Sequence, residues 1–315
     1  MTTSNSFNYS VTALDIITDA LENIGAIASG EAVEAADSAT CLRSLNFLVK
    51  SMGQGLDMAG GLKMFTRKTG YLFLQKNQGS YTLGPSGDNA ALTYAQTTVR
   101  VAGVTANTTI ELTSTTGITA GDYIGIKLDS GAIQWTTVSS VTDSDTLVIP
   151  ASGLTASAAA GNVVFAYTTK LMRPISINHI SLIDTDGNEN VVLPMSRLRY
   201  DNIPAKYVDS TPAYYLYENT LINGTVYFDV QPDELSLVAK INFFAQLEDY
   251  DLLTNDIAFP QEWYLALSWG LAKIVAPKFG ATWGQLEESN YIDHMAKVRS
   301  SYGDTSELYF QCGLD

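Results

Sequence analysis

Apolar residues recur at three- and four-residue spacing near both ends of the chain, which is typical of helices that bury one face. Two such stripes cover residues 13–27 and 42–56, and two more cover residues 263–275 and 291–302. The pattern therefore predicts two helices toward each end. We expect the helices of the two ends to pack together, because each must bury its apolar face against another element.

The first stripe is preceded by side chains that suit a helix N-terminus. Ser10 or Thr12 can accept hydrogen bonds from the free N–H groups of a first turn. Asp15 lies within that turn, where a negative charge interacts favourably with the helix dipole. Pro260 stands before the third stripe, where its missing N–H leaves no hydrogen bond unmade. These residues predict helix starts at both places.

Short strand-like runs fill the middle of the chain from residue 70 onward. Residues 89–169 are rich in Thr, Ser, Ala, Gly and Val, with seven charged residues, and their strand-like runs recur about every ten residues. This even spacing predicts a small all-β domain inserted into a host domain. Residues 173–245 are strand-like again, with hairpin turns at residues 184–188 and at Asn223-Gly224.

The fold class that follows is α+β, with a helical core built from the N- and C-terminal helices, a β region between them and an inserted small all-β domain. We place the helical core with its β region at residues 1–88 and 170–302. The inserted β-sandwich or barrel takes residues 89–169, and residues 303–315 form a C-terminal tail.

The composition indicates a protein that is partly covered by other proteins. Charged residues make up 16% of the chain, and it contains 17 Tyr and 11 Phe. Soluble chains average about 25% charged residues, so we expect part of the surface to be buried against other subunits. The net charge of −15 disfavours ordinary nucleic-acid binding and basic membrane anchoring. No apolar run or N-terminal leader predicts insertion into, or export across, a membrane.

The residues that could carry chemistry do not form a recognisable site. His179 and His294 have no Cys, Asp or Glu at a metal-ligand spacing. Residues 184–189 resemble a calcium loop in composition, but their glycine comes too early, so we favour a hairpin turn. Glu287 and Glu288 point to different faces of a helix and cannot act as a glycosidase pair. We predict no catalytic residue, no cofactor and no metal.

Three tryptophans, Trp263, Trp269 and Trp283, lie close together toward the C-terminus. Aromatic residues at helical spacing are typical of a core. In a chain with so few charges they are equally typical of a contact between subunits. Both interpretations stay open at this point.

Several stretches follow one another in a familiar order. They include residues 12–31 (TALDIITDALENIGAIASGE), residues 42–50 (LRSLNFLVK) and residues 259–280 (FPQEWYLALSWGLAKIVAPKFG). This order resembles the head–tail adaptors of tailed phages, the packaged-DNA stabilisation family of tail accessory factors. The resemblance covers residues 10–88 and 171–302. Residues 89–169 depart from it, and Gly53 stands near where the family usually has Trp.

The resemblance implies a structural subunit of a homododecameric ring beneath the portal. Such a ring extends the DNA channel, helps to retain packaged DNA and provides the tail attachment site. The implied partners are the portal protein, tail or nozzle proteins, further copies of the chain, and double-stranded DNA that passes without sequence-specific binding. The implied location is the neck of the virion, after assembly in the host bacterial cytoplasm. No catalytic residue is implied.

The C-terminal tail is the candidate interface. It carries apolar residues that a free polar tail lacks, and they predict docking on the portal or on an adjacent subunit. The alternative is that they fold back onto their own subunit. The candidate residues are Leu308, Tyr309, Phe310 and Leu314.

Two other functions compete with the connector. A virion-associated cell-wall hydrolase would need a carboxylate pair, and we find none in the sequence. A carbohydrate-binding tail protein would use residues 89–169, whose main aromatic residues are Tyr94, Tyr123 and Trp135. Both stay open as alternatives.

Overall fold

The computed structural model describes residues 5–6, 8–53, 66–184, 187–232 and 238–301. The chain falls into two compact units. The helical unit consists of Met1–Thr66 and Gln246–Asp315, and the β unit consists of Arg67–Ala245.

Five α-helices lie in the described ranges. They are α1 (Ala13–Asn23), α2 (Ala35–Gly53), α3 (Arg197–Asp201), α4 (Tyr264–Val275) and α5 (Gln285–Ser301). Short 3-10 turns precede and follow α4, at Gln261–Trp263 and Ala276–Lys278. Thr12 caps α1 in a capping box with Asp15, whose carboxylate accepts the Thr12 N–H at 2.8 Å. The helix start that the sequence predicts at Thr12 is thereby confirmed.

The helical unit is built around α4, which contacts α1, α2 and α5. Trp263 is completely buried at its centre, so this tryptophan belongs to a core. Asn46 of α2 ties down the chain after the β unit, because its amide donates to the Tyr250 carbonyl at 2.8 Å and accepts from the Tyr250 N–H at 2.9 Å. Local apolar periodicity and these specific hydrogen bonds together define the unit.

Fifteen strands lie in the described part of the β unit. They are β1 (Arg67–Phe73), β2 (Ser80–Leu83), β3 (Ala90–Ala91), β4 (Ala95–Thr98), β5 (Thr109–Glu111), β6 (Tyr123–Lys127), β7 (Ile133–Thr137), β8 (Ser140–Val141), β9 (Thr146–Val148), β10 (Val163–Tyr167), β11 (Ser176–Ile183), β12 (Glu189–Pro194), β13 (Tyr214–Glu218), β14 (Gly224–Phe228) and β15 (Val238–Phe244).

Eight of these strands form one nearly closed, barrel-like sheet in the order β2-β14-β13-β12-β11-β15-β1-β3. The longest pairing joins β1 to β15, with Arg67 opposite Phe244 and Phe73 opposite Val238. Alternate residues point inward and are buried, as a period of two requires. The inner core includes Leu72, Ile180, Val226, Ile241 and Phe243.

The remaining seven strands form two smaller sheets, β4-β10-β6-β7 and β5-β9-β8, with a core of their own. Aromatic rings join the four-stranded sheet to the barrel. The Phe73 ring on β1 lies 5.1 Å from Trp135 and 5.0 Å from Phe165, centroid to centroid. We call this contact the junction cluster, and its buried members are Phe73, Ala91, Ile133, Phe165, Tyr167 and Val238.

The predicted fold class, α+β with a helical core that carries the β regions, is wrong. The chain is mostly β, and its largest element is a barrel-like sheet with its own core. The error has a physical reason. Periodicity identifies a strand locally, but Arg67 and Phe244 pair from opposite ends of the β unit, and no local pattern encodes that pairing. The predicted domain boundaries at residues 88–89 and 169–170 stay a prediction.

Candidate interaction surface

The sequence-predicted interface residues Leu308, Tyr309, Phe310 and Leu314 lie outside the described residues. The structure therefore neither brings them together nor separates them. Their role in docking stays a prediction.

The two histidines occupy separate elements. His179 lies on β11 opposite Asn242 of β15, and His294 lies on α5. Within the described ranges, no group of three or more His, Cys, Asp or Glu side chains is arranged to hold a metal ion. The predicted absence of a metal stays a prediction for the chain as a whole.

The segment after β11 is a hairpin turn. β11 and β12 pair antiparallel, with Ile183 opposite Glu189. Asp184 accepts the backbone N–H of Asn188 at 2.8 Å, and Gly187 adopts a φ of 85°, which favours glycine. The predicted hairpin between β11 and β12 is confirmed by this pairing, and residues 185–186 of the turn lie outside the described residues.

The acidic residues Glu287 and Glu288 have structural partners at the start of α5. Glu287 accepts the N–H of Gly284 at 3.0 Å. Glu288 accepts from Lys273 and from the indole N–H of Trp283, both at 2.8 Å, and the bond from Lys273 is the main cause that lowers the Glu288 pKa. These carboxylates fasten α5 to its neighbours.

A cluster of basic and tyrosine side chains lies on the outer face of β13 and β14. Tyr215 and Val226 point into the barrel and are buried, so Tyr214 and Tyr227 point outward. The helix α3 and the loop after it contribute the other members. We call this surface the tyrosine–arginine patch, and it consists of Arg197, Arg199, Tyr200, Lys206, Tyr214 and Tyr227.

Each basic side chain of the patch lies over an aromatic ring. The guanidinium carbon of Arg199 is 3.7 Å from the Tyr214 centroid, and Lys206 Nζ is 4.4 Å from that of Tyr200. Tyr200 in turn contacts Tyr227, with 5.2 Å between ring centroids. Attraction between a cation and the ring face holds such side chains in place without neutralising their charge.

Arg197 differs from the other two cations because carboxylates neutralise it. Its Nε lies 3.1 Å from Asp201 Oδ1, and its Nη1 lies 2.8 Å from Glu218 Oε1. The hydrogen bond to Asp201, and to a lesser extent the one to Glu218, raises the pKa of Arg197 above its ordinary value. Arg199 and Lys206 form no ion pair with any residue that the structure describes. The patch therefore presents two positive charges that are stacked but not neutralised.

The local sequence explains how these residues come together. Ser196 caps α3 by accepting the Arg199 N–H at 3.3 Å, which turns the chain back across the sheet directly after β12. Parallel pairing of β12 with β13 places Leu193 beside Tyr214. The alternation of β13 then presents Tyr214 to α3 rather than to the barrel interior.

Exposed apolar residues lie within and beside the segment that carries the patch. The exposed fraction is 52% for Leu193, 72% for Leu198 and 85% for Tyr207. Tyrosine and arginine are enriched at protein interfaces and at their energetic centres. This combination of aromatic rings, guanidinium groups and exposed apolar side chains is typical of a surface that binds another protein.

The opposite charge is concentrated on the helical unit. Its sequence contains 18 acidic and seven basic residues, whereas the β unit contains 15 acidic and 11 basic residues. On α1, Asp15, Asp19 and Glu22 follow at intervals of four and three and lie on one face. We call these three residues the acidic ridge. Burial raises the pKa of Asp19, and the charges of Glu22 and Asp15 raise it further.

The aromatic residues that would suit a carbohydrate-binding module contact other rings. Tyr94 and Trp135 pack against Phe73 of the barrel, and Tyr123 stacks on Tyr167 with 5.0 Å between centroids. Sugars bind to ring faces that are free to stack. These rings instead pack against the junction cluster between the four-stranded sheet and the barrel.

The sequence analysis missed the tyrosine–arginine patch as a site. The signal that could have found it is local: three of the chain's 18 basic residues fall between positions 197 and 206. Their aromatic partners Tyr214 and Tyr227 come from the following hairpin, and only the pairing of β13 with β14 makes them neighbours.

Comparison of the sequence with protein-family models and with curated proteins gives no match in either case. Over the part of the chain that the structure describes, the helices are too short or too polar to cross a membrane.

Proposed function

We propose that this chain is a structural head–tail connector subunit of a tailed bacteriophage. In this role it forms a ring beneath the portal, extends the DNA channel, helps to retain packaged DNA and provides the tail attachment site. The observation that carries the proposal is the tyrosine–arginine patch with its exposed Leu198 and Tyr207. A surface of this composition suits binding to another protein. The order of the sequence stretches named above supplies the connector class.

The distribution of charge supports a channel function. Most of the net charge of −15 falls on the helical unit. A duplex that must slide past a wall is helped by a wall of like charge, because few cations are available to bind its phosphates. The proposed partners are the portal protein, tail or nozzle proteins, further copies of the chain and passing double-stranded DNA, with the virion neck as the location.

The contacts of Glu287 and Glu288 favour a structural protein over a hydrolase. The acidic pair on α5 is engaged by Lys273, Trp283 and the Gly284 N–H. A catalytic acid and base must instead face a substrate from two sides. We therefore propose a connector without enzymatic activity.

Electron microscopy tests this proposal. The purified chain is imaged alone and after mixing with the portal protein of the phage that encodes it, with portal alone as the control. We expect closed rings with a central channel that admits duplex DNA, and we expect them to attach to one end of the portal. A chain that neither forms rings nor attaches to the portal contradicts the proposal. Peptidoglycan hydrolysis that one acidic substitution abolishes contradicts it as well.

A further inference from the structure

We infer that the tyrosine–arginine patch of one copy binds the acidic ridge of α1 on a second copy. This inference rests on the proposed ring and names the contact that builds it. The two surfaces belong to different units and have opposite charge. A contact between two different surfaces of the same chain is heterologous, and repetition of such a contact produces a closed ring or an open helix.

The patch offers hydrogen-bond donors that are oriented but unused. Arg199 is exposed and its guanidinium lies over the Tyr214 ring, and it forms no ion pair with a described residue. A planar guanidinium presented in this way matches the two oxygens of a carboxylate. Lys206, fixed over Tyr200, supplies a second positive charge. Because both side chains are already ordered, binding costs little additional side-chain entropy.

The ridge offers the complementary acceptors. Asp15 and Glu22 accept local N–H groups from Thr12 and Gly30, whereas Asp19 has no hydrogen bond or ion pair with a described residue. Asp19 is exposed and lies between the two other carboxylates on the helix face. Burial and then the charges of Glu22 and Asp15 raise the Asp19 pKa, and a cation placed there would offset the repulsion from those two charges.

A second copy fits this patch better than a nucleic acid does. Asp201 and Glu218 lie beside Arg197, within the patch, and would repel a phosphate backbone. The exposed Leu193 and Leu198 can bury apolar area against a protein surface but gain nothing from a phosphate backbone. On the helical unit, Leu14 directly precedes Asp15 on α1 and is 37% exposed, so the same helical turn offers an apolar side chain beside the charged face.

Exchange of charges between the two surfaces tests the inference. Self-association is measured by sedimentation velocity over a range of concentrations for the wild-type chain, Arg199→Glu, Asp19→Arg and the chain that carries both substitutions. We expect each single substitution to weaken association about tenfold or more, because it places like charges together. We expect the double variant to recover most of the affinity, since the reversed pair is again attractive.

Matched controls reverse the charge of one other exposed residue on each unit. Lys76→Glu alters an exposed base of the β unit, and Asp251→Arg alters an exposed acid of the helical unit. Both should associate as the wild-type chain does. Melting temperatures of all variants are measured in parallel. We expect a small decrease for Arg199→Glu, which loses its contact with the Tyr214 ring, and nearly unchanged values where the other exposed residues alone are substituted.

Three results overturn the inference. One is a wild-type chain that stays monomeric at the highest soluble concentration, and another is self-association that Arg199→Glu and Asp19→Arg leave unchanged. The third comes from fluorescence anisotropy with labelled single-stranded and duplex DNA: binding that Arg199→Glu abolishes while self-association persists would assign the patch to nucleic acid.

Failure of this contact can be told apart from failure of the proposed connector function. Rings that persist in the single variants disprove this contact but not the connector. Suppose instead that self-association is lost in the single variants and recovered in the double variant, but the wild-type chain does not bind the portal. This result disproves the connector but not this contact.

Discussion

The guanidinium carbon of Arg199 lies 3.7 Å above the ring of Tyr214, close enough for the two planar groups to stack. The contact is made between α3 and the hairpin that follows it. We expect Tyr214→Leu to lower the free energy of unfolding by about 1 kcal/mol and Tyr214→Phe to leave it nearly unchanged, because the phenyl ring keeps the face that Arg199 covers. Urea denaturation measures both. Equal losses in the two variants would show that the hydroxyl, not the ring face, carries the contact.

A second prediction concerns the double hydrogen bond between Asn46 and the backbone of Tyr250. We expect Asn46→Ala to destabilise the protein by about 1–3 kcal/mol, because it leaves the partly buried N–H and C=O of Tyr250 without their partner. Chemical denaturation followed by tryptophan fluorescence provides the measurement, since the helical unit contains Trp263.

The matched control for that variant is Asn290→Ala on α5, whose side chain makes no hydrogen bond with a described residue. It should cost less than Asn46→Ala. Similar costs would mean that helix composition, rather than the link to Tyr250, determines the stability of this unit.

A third prediction concerns the close approach of Gly125 to Trp135. These residues are cross-strand partners on β6 and β7, and a Cβ added at Gly125 would lie 2.7 Å from the indole ring. We expect Gly125→Ala to destabilise the β unit by about 1–3 kcal/mol, because a packed ring must move. Adding Trp135→Leu should return part of the loss. Gly79→Ala serves as the control, since its nearest neighbour would be 3.6 Å away.

A fourth prediction concerns the pH dependence of stability. Burial raises the pKa of the Cys41 thiol from 9.0 to about 11. The folded state therefore favours the protonated thiol, and this contribution to stability is fully present below pH 9 and is lost as the pH rises toward 11. Unfolding free energies of the wild-type chain and Cys41→Ala, measured from pH 7 to 11, should differ less as the pH rises. A constant difference would contradict the shift.

A fifth prediction concerns the C-terminal tail. We expect Tyr309→Ala combined with Phe310→Ala to leave the melting temperature of the chain nearly unchanged and to abolish binding to the portal, because aromatic anchors contribute strongly to docking. Pull-down with the portal and differential scanning calorimetry make the two measurements. A large loss of stability would favour docking of the tail on its own subunit, and unchanged portal binding would refute the anchor.

The sequence predicts those features whose cause is local. The cap at Thr12 follows from one side chain and the N–H groups that follow it, and the turn after Ile183 follows from an Asp and a Gly at fixed positions. Each is decided within a few residues. For this reason both are confirmed although the fold class is wrong.

The features that the sequence does not predict depend on pairing between distant residues. The barrel-like sheet is held together because β1 pairs with β15 from the other end of the β unit, and its outer surface becomes a candidate site because Arg199 meets Tyr214. Alternation of apolar and polar residues identifies the strands, but it does not determine which strand pairs with which. The apolar stripes at the chain ends predict the helices, whereas most of the secondary-structure elements in the described residues lie in the β unit.

The junction cluster has a consequence for how the β unit melts. Phe73 and Val238 of the barrel are 1% and 4% exposed, and they are packed in the junction cluster with rings from the four-stranded sheet. Unfolding of the smaller sheets alone would leave these side chains in water, which costs free energy in proportion to the apolar area exposed. The barrel and the smaller sheets therefore form one cooperative block, and we expect them to lose structure in a single thermal transition.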